Sequence, residues 1–231
     1  MKISYEIVKV DDRLFFNDGK QHILFDSGFI GNPFGKNSVA VNGKIGDIAA
    51  NAMPKNFFDS FINMQVNGCD VTAVFNPMDG YNCLLKGNVL TISDEEMELE
   101  KGKYFFPFIA NNLPLIEGCI NGKKCKFFFD SGARMTMFGD RSDAASEKLR
   151  TYTEWMAAKF YYADLDVFKV SLGFPNGFEY EGEGALVTDA DYLKQAQGMN
   201  IRAMLGIDIF KYYNMAIITR GAQCGIMLFD K

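Results

Sequence analysis

"FFFDSGAR", Phe127–Arg134, sets an aspartate, a hydroxyl and a glycine directly behind three phenylalanines. An ionisable group where an apolar strand ends is either hydrogen-bonded into a turn or set in a cleft for chemistry, because burial without partners is costly. "ILFDSGFI", Ile23–Ile30, repeats the Phe-Asp-Ser-Gly core after another apolar run. One Asp-Ser-Gly falls by chance in about one chain of this length in twenty. Two in the same setting point to an internal duplication and put Asp26 and Asp130 forward as a pair.

Each copy closes a hairpin. "RLFFNDGKQHILF" (Arg13–Phe25) places apolar runs around Asp-Gly, and "LPLIEGCINGKKCKFFF" (Leu113–Phe129) places them around Asn-Gly. These dipeptides accept the positive φ of a tight turn. A second echo matches "SFINMQVNGCDVTAVF" (Ser60–Phe75) to "AMLGIDIFKYYNMAIIT" (Ala203–Thr219). It sets Asn63 on Gly206, Gln65 on Asp208 and Val71–Phe75 on Met215–Thr219.

The charged stretch "SDEEMELEKGK" (Ser93–Lys103) divides the chain into halves, 1–100 and 101–231. The second half is the longer and carries an insertion at about 142–165. Ser142–Phe160 starts with capping residues and has helix-forming composition, so part of it is expected to be helix. Its aromatic residues, among them Tyr152, Trp155, Tyr161 and Tyr162, either cover a cleft or pack the insertion onto its lobe. Asp166–Val187 reads as a hairpin turning at Pro-Asn-Gly, and Asp189–Gly198 as a helix ending at its glycine.

Composition bounds the function. Hydrophobic residues at 48%, charged residues at 23% and 22 phenylalanines describe a globular, strand-rich chain of 231 residues. A net charge of −5 without a dense Lys/Arg cluster excludes a nucleic-acid or anionic-membrane surface as partner. No stretch reaches the apolar length of a membrane span. Five cysteines without a Cys-x-x-Cys pair, and a start without an apolar export segment, indicate a reduced, cytoplasmic protein. His22 is the only histidine, which excludes a multi-histidine metal site. No metal and no cofactor is expected.

An apolar strand, Asp-Ser-Gly-Ala, and later Leu-Gly-Ile-Asp-Ile-Phe before another apolar strand resemble the retropepsin-like aspartic peptidase pattern. The match covers most of 104–231. With the duplicated first half, the whole chain resembles a bilobal, bacterial-type relative of pepsin. The resemblance implies a mainly β, acid-protease fold of two pseudo-twofold-related β-barrel lobes with a few short helices. It implies an aspartic-type endopeptidase acting on an extended peptide or protein substrate, in which Asp26 and Asp130 share a proton and activate a water.

It also implies that Ser27 and Ser131 hydrogen-bond across the base of the site, that Gly28 and Gly132 let the loops meet, and that Leu205 and Gly206 pass beneath the aspartate loop. Asp208 would cap or anchor the short helix that follows. The first half departs from the pattern at Phe29, where a small residue is usual, and at Asn63 and Gln65. Neither Phe29 nor Ala133 offers the carboxylates a hydroxyl, which makes for a less acidic pair suited to a neutral compartment. The leading reading is a monomeric single-chain peptidase. A catalytically inactive peptide-binding or scaffold protein on the same fold is the alternative, and a homodimer in which Asp130 faces its own copy is a third.

Overall fold

Short runs of Phe, Ile, Leu and Val broken by turn residues leave this chain little choice but strands. The computed structural model describes residues 2–10, 12–17, 22–28, 41–45, 48–52, 65–66, 69–110, 113–156, 161–189, 198 and 200–231. The first half forms β1 (Lys2–Val10), β2 (Arg13–Asn17), β3 (His22–Phe25), β4 (Val41–Ile45), β5 (Ile48–Ala52), β6 (Gln65–Val66), β7 (Cys69–Phe75), β8 (Asn82–Lys86) and β9 (Val89–Ser93). The second forms β10 (Tyr104–Ala110), β11 (Leu113–Ile120), β12 (Lys123–Phe129), β13 (Met137–Phe138), β14 (Arg150–Met156), β15 (Tyr161–Gly173), β16 (Glu179–Leu186), β17 (Ile201–Leu205), β18 (Asn214–Ile218) and β19 (Gly225–Phe229). As expected, the fold is mainly β, and no helix among the described residues reaches seven residues.

The two hairpins form where the turn dipeptides place them. In the second, β11 meets β12 with Ile120 opposite Lys123, and the turn residues Asn121 and Gly122 have φ of 46° and 76°. In the first, β2 meets β3 with Phe16 opposite Ile23. Each returning strand then pairs in parallel with a later one. β3 lies beside β7 with Phe25 opposite Phe75, and β12 lies beside β17 with Phe129 opposite Leu205. Both ladders shift register at the same relative place, between His22 and Ile23 and between Lys126 and Phe127.

This register corrects the second echo. Phe75, not Ile62, stands where Leu205 stands, so Asn76 is the counterpart of Gly206. The 3-10 turn Pro77–Asp79 likewise answers the 3-10 turn Ile207–Phe210. Asn63 and Gln65 are not the counterparts of Gly206 and Asp208. Hydrophobic similarity alone aligns the segments, whereas parallel pairing with the aspartate strand decides which residue ends beneath the loop. Phe29 and Asn63 lie outside the described residues.

The expected helix within 142–160 is also corrected. Among its described residues only the 3-10 turn Arg141–Asp143 forms, capped by the Asp140 side chain, and 150–156 is the strand β14, paired with β15 from Arg150 opposite Val167 to Met156 opposite Tyr161. "RTYTEWM" is rich in β-branched and aromatic residues, Thr151, Tyr152, Thr153 and Trp155, a composition that suits a pleated strand. The Pro-Asn-Gly hairpin joins β15 to β16 as expected, with Gly177 at φ 81°. Most of Asp189–Gly198 lies outside the described residues.

Six described strands, three from each half, make one antiparallel sheet in the order β1, β9, β8, β18, β19, β10. The charged residues 94–103 carry no regular structure and link its two sides. Two buried asparagines stitch the join reciprocally. Asn82 Oδ1 accepts from the Thr219 and Arg220 amides at 2.8 and 2.9 Å, and Asn214 Oδ1 accepts from the Gly87 amide at 2.9 Å.

Phenylalanines fill the interior. Phe106 on β10 is 1% exposed and meets the rings of Phe174, Phe178 and Phe210 at centroid distances of 5.0–5.4 Å. Its place connects the shared sheet to the core of the second half. We expect Phe106→Ala to cost about 3–5 kcal/mol in urea unfolding, against less than about 0.5 kcal/mol for Val89→Ala on the exposed end of β9.

Candidate active site

Asp26 and Asp130 each sit one residue past the end of a strand, β3 and β12. The Asp26 amide donates to Phe75 O at 3.0 Å and the Asp130 amide to Leu205 O at 2.9 Å. The parallel neighbour strand therefore fixes the backbone beneath each carboxyl. The loops then turn the side chains inward. Asp26 Oδ1 accepts from the Gly28 amide at 2.8 Å, and Asp130 Oδ1 accepts from the Gly132 and Ala133 amides at 2.8 and 3.2 Å.

The serines bind the two loops to each other. The Ser27 amide donates to Ser131 Oγ at 2.9 Å, and the Ser131 amide donates to Ser27 Oγ at 3.0 Å. Each hydroxyl passes its own hydrogen on across the junction, Ser27 to Phe129 O at 3.2 Å and Ser131 to Phe25 O at 3.3 Å. Both serines are fully buried. All four bonds run between the halves, so neither loop satisfies its polar groups alone.

The glycines are required by close approach. A Cβ on Gly28 would lie 2.2 Å from Asp130 Cγ, and one on Gly132 would lie 2.5 Å from Asp26 Cγ. Each carboxyl rests on the other loop's glycine. The two carboxyls also hydrogen-bond to each other. Burial pushes the Asp130 carboxyl above its ordinary range; the Asp26 carboxyl, the Gly132 and Ala133 amides and the Arg13 guanidinium pull it back.

Gly206 lies against the Met135 backbone, where a Cβ would be 2.6 Å from Met135 C, and its amide donates to Thr136 Oγ1 at 3.3 Å. Asp208 makes no N-cap. It anchors the segment after the aspartate loop, accepting from Thr136 Oγ1 at 3.3 Å and from the Tyr180 hydroxyl at 2.9 Å. Burial raises its carboxyl from 3.8 to about 6. His22 occupies an ordinary hairpin position, buried in β3 with Nε2 3.4 Å from Asn17 Nδ2.

The structure thus brings together Asp26, Ser27, Gly28, Asp130, Ser131, Gly132, Leu205 and Gly206. Sequence reasoning missed Asn76, whose Oδ1 accepts from the Met78 amide at 2.8 Å. The doublets Tyr81-Asn82 and Tyr213-Asn214, each opening a strand of the shared sheet, would have found its place. It also missed Arg13, which no local pattern connects to Asp130.

No family model matches the chain, and no curated protein matches its sequence. Among solved structures, the aspartic proteinase from Irpex lacteus superimposes with a TM-score of 0.50 at 9% identity, over 99% of this chain and 98% of that one. A retropepsin-like aspartic protease from Rickettsia conorii aligns over 57% of this chain and 97% of its own, with a TM-score of 0.34 and 14% identity. The chain has the pepsin/retropepsin-like fold.

Two outcomes follow from this geometry. Ser27→Ala and Ser131→Ala each strand a buried amide on the opposite loop and should cost a similar amount, about 1–3 kcal/mol; the double variant should cost less than the sum, since the bonds form one network. For Asp208, a folded-state carboxyl raised to about 6 means that stability falls as pH rises from about 4 through 6. Asp208→Asn cannot ionise, so its stability relative to the parent should rise across that window by up to about 3 kcal/mol in urea unfolding.

Proposed function

We propose that the chain is an aspartic-type endopeptidase in which Asp26 and Asp130 form the catalytic pair. The observation that carries this reading is the reciprocal approach of the two carboxyls, each against the other loop's glycine and hydrogen-bonded to the other. Like charges so close cannot both ionise, so the pair holds one proton between them. The ionised carboxylate takes a proton from a water as its oxygen attacks the peptide carbonyl. The protonated carboxyl hydrogen-bonds the carbonyl oxygen and stabilises the charge that develops there. Proton transfer to the nitrogen then releases the amine and returns the pair to its starting state.

Residues 1–100 and 101–231 would be the two lobes, each supplying one aspartate, with an extended peptide bound between them. Ser27, Gly28, Ser131, Gly132, Leu205 and Gly206 would support the loops. Because Asp130 meets Asp26 within one chain, a monomer suffices for the chemistry. Among the described residues no helix is long and apolar enough to cross a membrane, and Cys83, Cys119, Cys125 and Cys224 are free. A reduced cytoplasmic setting fits both the free thiols and the raised Asp130 carboxyl.

The test is cleavage of a peptide library across pH by the parent, Asp26→Asn and Asp130→Asn. We expect cleavage by the parent and a loss of about 10²–10⁴-fold or more in kcat/KM for each variant, with the active species having the mass of one chain. An optimum at about pH 2 would contradict the raised Asp130 carboxyl. No cleavage, together with binding of peptides by the parent, would identify the inactive binding protein instead.

A further inference from the structure

Glu154 lies in the middle of β14, opposite Ala163 of β15, and its side chain is 2% exposed. A carboxylate so buried needs cationic partners. The first partner comes from the other half: Arg13 at the start of β2, also 2% exposed, donates from Nη2 to Glu154 Oε1 at 2.7 Å. The second is Arg134, four positions beyond Asp130 in the aspartate loop, whose Nε donates to Glu154 Oε2 at 3.3 Å. Arg134 Nη2 also reaches Thr153 O at 2.9 Å, and its guanidinium lies 4.9 Å from the centre of the Tyr152 ring. Tyr152 shares a strand face with Glu154 and donates its hydroxyl to Oε2 at 2.6 Å.

We propose that Glu154 is the hub of a cross-lobe clamp, a positioning residue that ties the β14–β15 hairpin at once to the first lobe through Arg13 and to the aspartate loop through Arg134. No other single side chain described above joins these three pieces. Any displacement of the hairpin from the first lobe pulls a buried carboxylate away from a buried guanidinium, which is strongly opposed at low local dielectric. Neutral tyrosine completes the hub as a donor, since burial and the Glu154 carboxylate push its hydroxyl pKa upward.

The hub also has a charge consequence, which rests on the reading of Asp26 and Asp130 as a catalytic pair. Arg13 acts on Asp130, favouring its ionised form, and the Glu154 carboxylate sits against that same guanidinium. The charged or titratable groups concerned are Asp26 and Arg13 at Asp130, and Arg13, Arg134 and Tyr152 at Glu154. Arg150, beyond the Tyr152 ring, is held by Glu183 at 2.7 Å. Glu154 therefore tempers the field at the pair as well as placing the hairpin.

Hydrogen exchange on the resting protein tests the clamp without reference to activity. Arg13→Met and Glu154→Gln should each speed amide exchange across 150–156 and 161–167 by about 10-fold or more, leaving β12 and β17 unchanged; exchange in the hairpin that stays at the parent rate overturns the clamp. The pH profile of peptide cleavage separates charge from fit. Arg13→Met removes a positive charge and should move both limbs of the profile to higher pH, whereas Glu154→Gln removes a negative charge and should move both to lower pH. Shifts in the same direction, or none, overturn the charge role.

The double variant Arg13→Met/Glu154→Gln removes one charge of each sign, so its profile should return toward that of the parent while the hairpin still exchanges fast. If a single variant does not fold, the double variant carries the exchange test alone, with slow hairpin exchange the overturning result. If the parent cleaves nothing, the peptidase reading and the charge role fall together, and exchange still decides the clamp.

Discussion

Four buried hydrogen bonds between the Ser27 and Ser131 loops are the constraint on which the rest of this structure depends. Each loop ends a strand with an amide and a hydroxyl that its own half cannot satisfy, and the partner half completes both. The loops must therefore meet back to back, and they can do so only if each presents a glycine to the other's aspartate. The hairpins, the parallel ladders beneath them and the shared sheet all serve to bring two strand ends into that one arrangement. An aspartate placed by such a junction has its position set by backbone from both halves, and this is the kind of rigidity that acid–base chemistry requires.

The environment of the pair is then set by a small number of opposing effects. Burial favours protonation of Asp130, while the Asp26 carboxyl, the backbone amides and the Arg13 guanidinium favour its charge. Asp208 shows the same competition one layer further out, with Tyr180 and Thr136 opposing burial. In each case the carboxyl is neither abandoned in an apolar interior nor released to solvent.

Much of this was legible in the sequence because it is written locally. The two Asp-Ser-Gly copies, their turn dipeptides and Leu205-Gly206 sit within short, recognisable runs. Asn76 was not legible, because its role depends on which residue of β7 pairs with Phe25, and strand register across a parallel ladder leaves no mark in the composition of either strand. The helix expected near Ser142 failed where Thr151, Tyr152 and Thr153 gain a hairpin partner in β15, a tertiary gain that outweighs helix-forming neighbours. Arg13 and Glu154 stand 141 residues apart, and only the folded chain makes them neighbours.

The shared sheet has a consequence for how the protein comes into being. β8 belongs to the first half, yet the strand that covers its edge, β18, begins only at Asn214 in the second. During synthesis the first half emerges with that edge bare and must wait until β18 has been made. Until then its unpaired amides and carbonyls offer a template to any extended segment, including β8 or β18 of another nascent copy. The duplication that places two aspartates in one chain thus leaves each half incomplete during its assembly, and makes correct pairing a race between the chain's own β18 and its neighbours.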